Sequence, residues 1–274
     1  MVWPVSPVKT EKKIIPNKTA YIRYNCMMTK GKRWLGLAVF SALLFFPFSL
    51  QPQPSAPQNL FTIARLKYGG GGDWYWGPSA LPNLLTYIQQ NANIQTAADE
   101  ARVAIADDNF FSYPFLFMTG HGNIRFTDED VRRLRTFLTK GGFLLANDSY
   151  ALDKAFRREM KKVFPEEDLV EIPFSHPVYH GLYDFRNGLP KVHQHDGKPP
   201  KGYGIFYKDR LVVFYAYEAD IGDGWEDPAV YNDPSEKREA ALKIGANLVI
   251  YALTGGNGKI EGPKATRGAE GIKK

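Results

Sequence analysis

The chain has 274 residues, 44% hydrophobic and 14% aromatic, with a formal net charge of +6, which is ample for a real hydrophobic core. The excess charge belongs to the ends: eight Lys or Arg precede residue 57 and five follow residue 258, against Glu11, Glu261 and Glu270. The body between them is mildly acidic, and nucleic acid is excluded as a partner.

In chain order, Lys30, Lys32 and Arg33 precede an apolar run from Trp34 to Phe48, and a Pro-rich stretch from Gln51 to Pro57 follows. That order reads as a signal peptide or an uncleaved N-terminal anchor, and it predicts an extracytoplasmic protein, periplasmic or secreted. Met27 and Met28 begin a more usual signal peptide, so residues 1–26 read as an over-extended start. This segment is the only membrane contact expected. Cys26 is the only cysteine, and it lies before the apolar run, where a lipoprotein cysteine cannot be. The rest of the chain therefore forms no disulfide, no Cys-ligated metal site and no cysteine nucleophile. The domain reading is an extension over 1–56, one domain over 57–254, and a Gly/Lys-rich disordered tail over 255–274.

Phe61–Tyr68 is predicted as a strand ending in Gly69–Gly72. A loop with Asp73, Trp74, Tyr75 and Trp76 leads into a helix from Ser79 to about Asn91, with Leu81, Leu84, Leu85 and Ile88 at helical spacing. Strands follow at 102–106 and 115–119. Thr127 and Asp130 form the start signal of a helix whose apolar face is Val131, Leu134, Phe137 and Leu138, and Gly141-Gly142 ends it. Phe143–Ala146 is a strand, Tyr150–Phe164 a helix closed by Pro165, and Leu169–Ile172 a strand. The stretch 173–201 is loop-like. Residues 205–207 and 211–217 form a hairpin, and Glu236 to about Leu253 a final helix. Strands alternating with helices indicate a mostly parallel sheet covered on both faces.

Two apolar strands stop abruptly at polar groups: Tyr113–Met118 at Thr119-Gly120-His121-Gly122, and Phe143–Ala146 at Asn147-Asp148. In open α/β sheets that carboxyl edge is where ligands sit. The stretches Ala64–Trp74, Tyr113–Gly122, Gly141–Asp148 and His176–Tyr179 together resemble a bacterial family of domains of unknown function, number 4159, placed with the class I glutamine amidotransferase-like folds. The resemblance covers most of 60–254. It implies a three-layer αβα sandwich with a mostly parallel, flavodoxin-like wound sheet, and it implies no established activity. True class I amidotransferases carry a nucleophilic cysteine on the turn after the second such strand. Here that turn reads Ala146-Asn147-Asp148-Ser149-Tyr150, without flanking glycines, so thioester chemistry is excluded and a Gly-x-Ser-x-Gly elbow is absent as well.

The residues expected at the ligand edge are Gly71, Gly72, Asp73, Trp74, Gly120, His121, Asn147, Asp148 and His176. A His beside a carboxylate is a general base, with Ser149 or water as nucleophile, which makes His121, Asp148 and Ser149 the catalytic candidates. The plainer reading has Asp148 or Ser149 capping the next helix and His121 bonding loop backbone. Gly69–Gly72 offers backbone N–H groups to an anion, although neither the dinucleotide nor the P-loop spacing is present. Trp74, Tyr75 and Trp76 suggest a stacking surface for a sugar, or a loop anchored by its aromatics.

Pro177 separates His176 from His180 and removes a shared helix face. His193-Gln194-His195 on extended chain places both rings on one side, with Asp196 next, and zinc there would need a third ligand such as His121 or Asp148. No metal and no cofactor is assigned. Asp220–Asp227 has the wrong spacing for an EF-hand and reads as a solvated turn. The leading function is a non-catalytic binding or assembly module for an envelope protein or a glycan. The alternative is a hydrolase using His121 with Asp148 or Ser149, metal-assisted in one form.

Overall fold

A computed structural model describes residues 60–256. The predicted leader and start codon, the linker up to residue 59 and the tail from 257 lie outside the described residues.

Seven strands form one sheet: β1 (Ala64–Lys67), β2 (Ala101–Ala104), β3 (Phe115–Met118), β4 (Phe143–Asn147), β5 (Val170–Glu171), β6 (Lys201–Tyr207) and β7 (Arg210–Tyr217). Their order is β2-β1-β3-β4-β7-β6-β5. The first five in that row run parallel, and β6 is antiparallel to both of its neighbours. The helices are α1 (Ala80–Asn91), α2 (Asp128–Thr139), α3 (Asp153–Val163), the short α4 (Pro228–Tyr231) and α5 (Ser235–Thr254).

The core has two halves, one on each face. Leu81, Leu84, Leu85 and Ile88 of α1 pack with α5 and with Phe115, Phe117, Phe143 and Leu145. On the other face, Leu134, Phe137 and Leu138 of α2 and Phe156, Met160 and Val163 of α3 pack on Leu116, Met118, Leu144 and Ala146. β3 and β4 therefore bury side chains on both faces, which is why they read as unbroken apolar runs. Each fully buried side chain of this size contributes about 1.5–3 kcal/mol of transfer free energy. Gly245 lets α5 approach α1: a Cβ there would stand 2.8 Å from Leu84 Cδ1 and 2.9 Å from Trp225 Cζ2. Among the described residues no helix is long and apolar enough to cross a membrane.

The α2 start is as predicted, with Thr127 Oγ1 accepting from the Asp130 N–H and Asp130 accepting from the Thr127 N–H. Several boundaries differ: β1, read as Phe61–Tyr68, is Ala64–Lys67. Helix α3 begins at Asp153 rather than Tyr150, and neither Asp148 nor Ser149 caps it. Strand β6 begins at Lys201, four residues before the predicted start. Its Gly202 and Gly204 break the apolar pattern yet lie under Tyr179 and Leu211, where a Cβ would meet side-chain atoms at 2.1 and 2.3 Å.

Candidate functional site

The carboxyl ends of β1, β3, β4 and β7 form one rim. After β1, Gly69–Gly72 packs against the loop that follows β3: the Gly72 N–H donates to the Asn123 carbonyl at 3.1 Å, and Arg125 N–H to the Gly69 carbonyl at 2.8 Å. The Gly72 N–H is thus taken, and residues 73–79 separate the glycines from α1. No helix N-terminus therefore stands directly behind the glycine run. Trp74 is half-buried, packing in the α2/α3 half of the core with Lys67 over its ring. The exposed aromatics of this loop are Tyr75 and Trp76, at 58% and 39% exposure.

Asp73 and His121 meet as a pair. The His121 N–H donates to Asp73 Oδ1, and His121 Nδ1 lies 3.0 Å from Oδ2. Although partial burial pushes the Asp73 carboxyl up, the His121 backbone and ring hold it below the usual carboxylate range. The Trp76 and His121 rings meet edge to face, with centroids 4.9 Å apart. Gly120, at φ +126°, allows this turn, since a Cβ would come within 2.4 Å of Tyr68 Oη and 2.9 Å of the Asp73 backbone. Beneath the loop, fully buried Arg65 donates to both Glu100 oxygens and to the Trp76 and Gly77 carbonyls.

Asn147, Asp148 and Ser149 end β4. Asn147 is fully buried and acts as a clamp: Nδ2 donates to Asp220 Oδ1 at 2.9 Å, and Oδ1 accepts from the Gly222 N–H at 2.9 Å. Ser149 Oγ is buried 3.2 Å from Thr119 Oγ1. No imidazole or carboxylate appears among its hydrogen-bond partners, so it lacks the base that a nucleophile needs. Likewise His121 bonds Asp73 rather than Asp148 or Ser149. The catalytic pairing expected from the sequence is not made.

Asp148 accepts from the Glu218 N–H at 3.0 Å and faces an open cleft of about 290 Å³. Tyr150, Lys154, His195, Lys198 and Tyr217 line the cleft with it. Burial is the main cause that pushes the Asp148 carboxyl up to about 6, against the lowering effect of the Glu218 N–H, Tyr215 and nearby His195.

The loop before β6 reaches the same rim with its second half. His195 Nε2 lies 2.9 Å from Asp220 Oδ2. His193 Nδ1 lies 3.0 Å from Asp223 Oδ2 and 3.8 Å from Asp220 Oδ2, while its Nε2 lies 2.9 Å from Asp233 Oδ2. The carboxylates of Asp220 first, and then of Asp223, raise the His193 imidazole to about 10. Burial pushes Asp220 up, yet His193, His195 and Asn147 together hold it down at about 2. The two rings do face one side, as the His-x-His spacing predicted. Their partners are Asp220 and Asp223, however, and the acidic turn read as solvated is buried: Asp220, Asp223 and Glu226 are 4%, 8% and 2% exposed.

His176 is not at this rim. Strand β5 ends level with Gly202, and the chain then doubles back across the face that carries α5. His176 there packs between Phe206 and Tyr251, near the start of β4, and burial lowers its pKa. The expected ligand role has no structural counterpart at the sheet's carboxyl edge.

Residues 62–253 match the family described as Domain of unknown function (DUF4159). The chain belongs to the DUF4159 family. No curated protein matches it. In this DUF4159 domain three of the four stretches that resemble the family reach the carboxyl rim, and His193, His195, Asp220 and Asp223 join them from elsewhere in the chain. Tyr150, Tyr217, Glu218 and Asp233 are not among the residues expected at the site, and Asp220 and Asp223 were expected only in a solvated turn. Of these, Glu218 and Asp220 could have been found by the rule that exposed Asp148, since they follow an apolar strand directly.

Proposed function

We propose that this domain is an extracytoplasmic binding module whose ligand is hydroxyl-rich, a glycan or a glycan-bearing envelope partner, held over the carboxyl edge of the sheet. The observation that carries this reading is the Asp148 cleft, with an acceptor carboxylate at its base and Tyr150, 61% exposed, at its mouth. Tyr75 and Trp76 extend the aromatic surface on the neighbouring loop. Flat rings beside buried carboxylates suit a sugar, which offers apolar ring faces and hydroxyl donors to the same site. The basic, apolar and Pro-rich order of the N-terminal sequence supports the location. We read the wound parallel sheet as an amidotransferase-like scaffold in which Asp148 stands where that chemistry would need a thiol.

Titration of the purified protein with soluble neutral and N-acetylated oligosaccharides, followed by tryptophan fluorescence and calorimetry, tests the reading. Saturable binding weakened by Tyr150→Ala is expected. Absence of binding to every oligosaccharide overturns the glycan assignment.

A second reading, a hydrolase, draws on one observation: a carboxyl raised to about 6 in a cleft shared with His195. Water would then be the nucleophile, because Ser149 has no base. Unchanged oligosaccharide affinity with abolished turnover in Asp148→Asn would favour this reading.

A further inference from the structure

Outside the Asp148 cleft, His193, Asp220 and Asp223 each offer a ligand atom, and these atoms all lie within 4.8 Å of one another. We propose that these three side chains bind a divalent transition-metal ion of the zinc or manganese type. This goes beyond the glycan reading and does not depend on it.

The donor set is one imidazole nitrogen and two carboxylate oxygens, which suits Zn²⁺ and Mn²⁺ better than the all-oxygen shells of Ca²⁺ or Mg²⁺. Ligand atoms about 2.1 Å from one ion stand roughly 3.0–3.4 Å apart at right or tetrahedral angles. The His193 Nδ1 separations from Asp223 and Asp220 are 3.0 and 3.8 Å, so Asp223 is already at ligand spacing and Asp220 must move closer to share an ion. The competing charge is a proton on Nδ1. It serves Asp223 Oδ2 while Asp220 Oδ2 is served by His195 Nε2, whereas an ion in place of that proton links Nδ1 to both carboxylates.

The groups behind the ligands are those that orient a metal site. Asp233 accepts from His193 Nε2, and Lys237 holds Asp233 at 3.1 Å. That is the carboxylate–imidazole arrangement which turns the other ring nitrogen toward a metal. Asn147, rooted in the central strand β4, occupies Asp220 Oδ1 and leaves Oδ2 facing the imidazoles. His195 Nε2, already 2.9 Å from Asp220 Oδ2, is placed as a donor to the bound carboxylate. The His193 side chain is 25% exposed, which gives an ion a way in.

The experiment incubates the purified full chain with ZnCl₂ or MnCl₂, dialyses it against metal-free buffer, and measures bound metal and thermal unfolding with and without EDTA. About one ion per chain and a rise in melting temperature that EDTA reverses are expected. Asp223→Asn, which keeps the side-chain shape, is expected to weaken binding about 10–100-fold, as is His193→Gln, while His180→Ala leaves it unchanged. Wild-type protein that retains no ion and shows no shift overturns the proposal. So does a folded Asp223→Asn or His193→Gln variant that binds as tightly as wild type. Oligosaccharide titration on the EDTA-treated protein reads the glycan assignment separately.

Discussion

Asn147 Nδ2 donates to Asp220 Oδ1 at 2.9 Å, joining the end of a central strand to the acidic loop that follows β7. The same amide accepts from the Gly222 N–H, so a single buried side chain fixes the loop at two points. Asn147→Ala would leave a buried carboxylate oxygen and a buried N–H without these partners. A loss of roughly 2–4 kcal/mol in urea unfolding is expected, together with faster hydrogen exchange at 218–223. Normal stability in this variant would show that the loop is held by the histidines alone.

Asp148 gives a pH-dependent prediction. Its carboxyl faces the Glu218 N–H, Tyr215, His195 and Asp153, and burial raises it to about 6. The folded protein then holds that proton more tightly than the unfolded chain. This contribution is fully present below about pH 4 and is lost as pH rises through about 6. Asp148→Asn never ionises. Its stability relative to wild type should therefore improve by roughly 1–3 kcal/mol between pH 4 and pH 7.5, measured by denaturant unfolding at both values. A difference independent of pH would contradict the assignment.

Arg65→Met should be the most damaging single change near the site. It leaves the Glu100 carboxylate and the carbonyls of Trp76 and Gly77 without their donor, at a cost of about 3–5 kcal/mol. The change should also shift the tryptophan emission, because Trp76 loses its anchor beside His121. Emission spectra of the native variant check this.

Gly120→Ala tests the Asp73–His121 pair. Both the φ of +126° and the 2.4 Å approach to Tyr68 Oη forbid a side chain there. A loss of about 2 kcal/mol or more is expected. The His121 imidazole resonances should move as the pair separates.

Ser149→Ala removes only a contact with Thr119. It should cost about 1 kcal/mol and leave ligand affinity, and any turnover, unchanged. Abolished turnover in this variant would restore the serine nucleophile.

The fold was legible where short-range patterns decide it. The Thr127–Asp130 box, the α1 leucines and the apolar runs of β3 and β4 are local signals, and each appears where the spacing put it. The site was legible only in part, because its partners are distant in sequence. Asp220 and Asp223 look like a wet turn until His193 and His195 arrive from a segment 25 to 30 residues earlier. His176 was misplaced because nothing nearby reports that the chain reverses after β5. Its neighbours Phe206 and Tyr251 come from β6 and α5.

The pairing of β4 with β7 matters during translation. Strand β4 finds β3 already made on one side, but its partner on the other is the last strand of the sheet to leave the ribosome. A nascent chain released before residue 210 would carry Phe143–Asn147 as an uncovered apolar edge, a template for self-association. Completed synthesis through β7 is therefore what makes the product safe from clumping, and prematurely terminated copies should be found with chaperones or in the insoluble fraction.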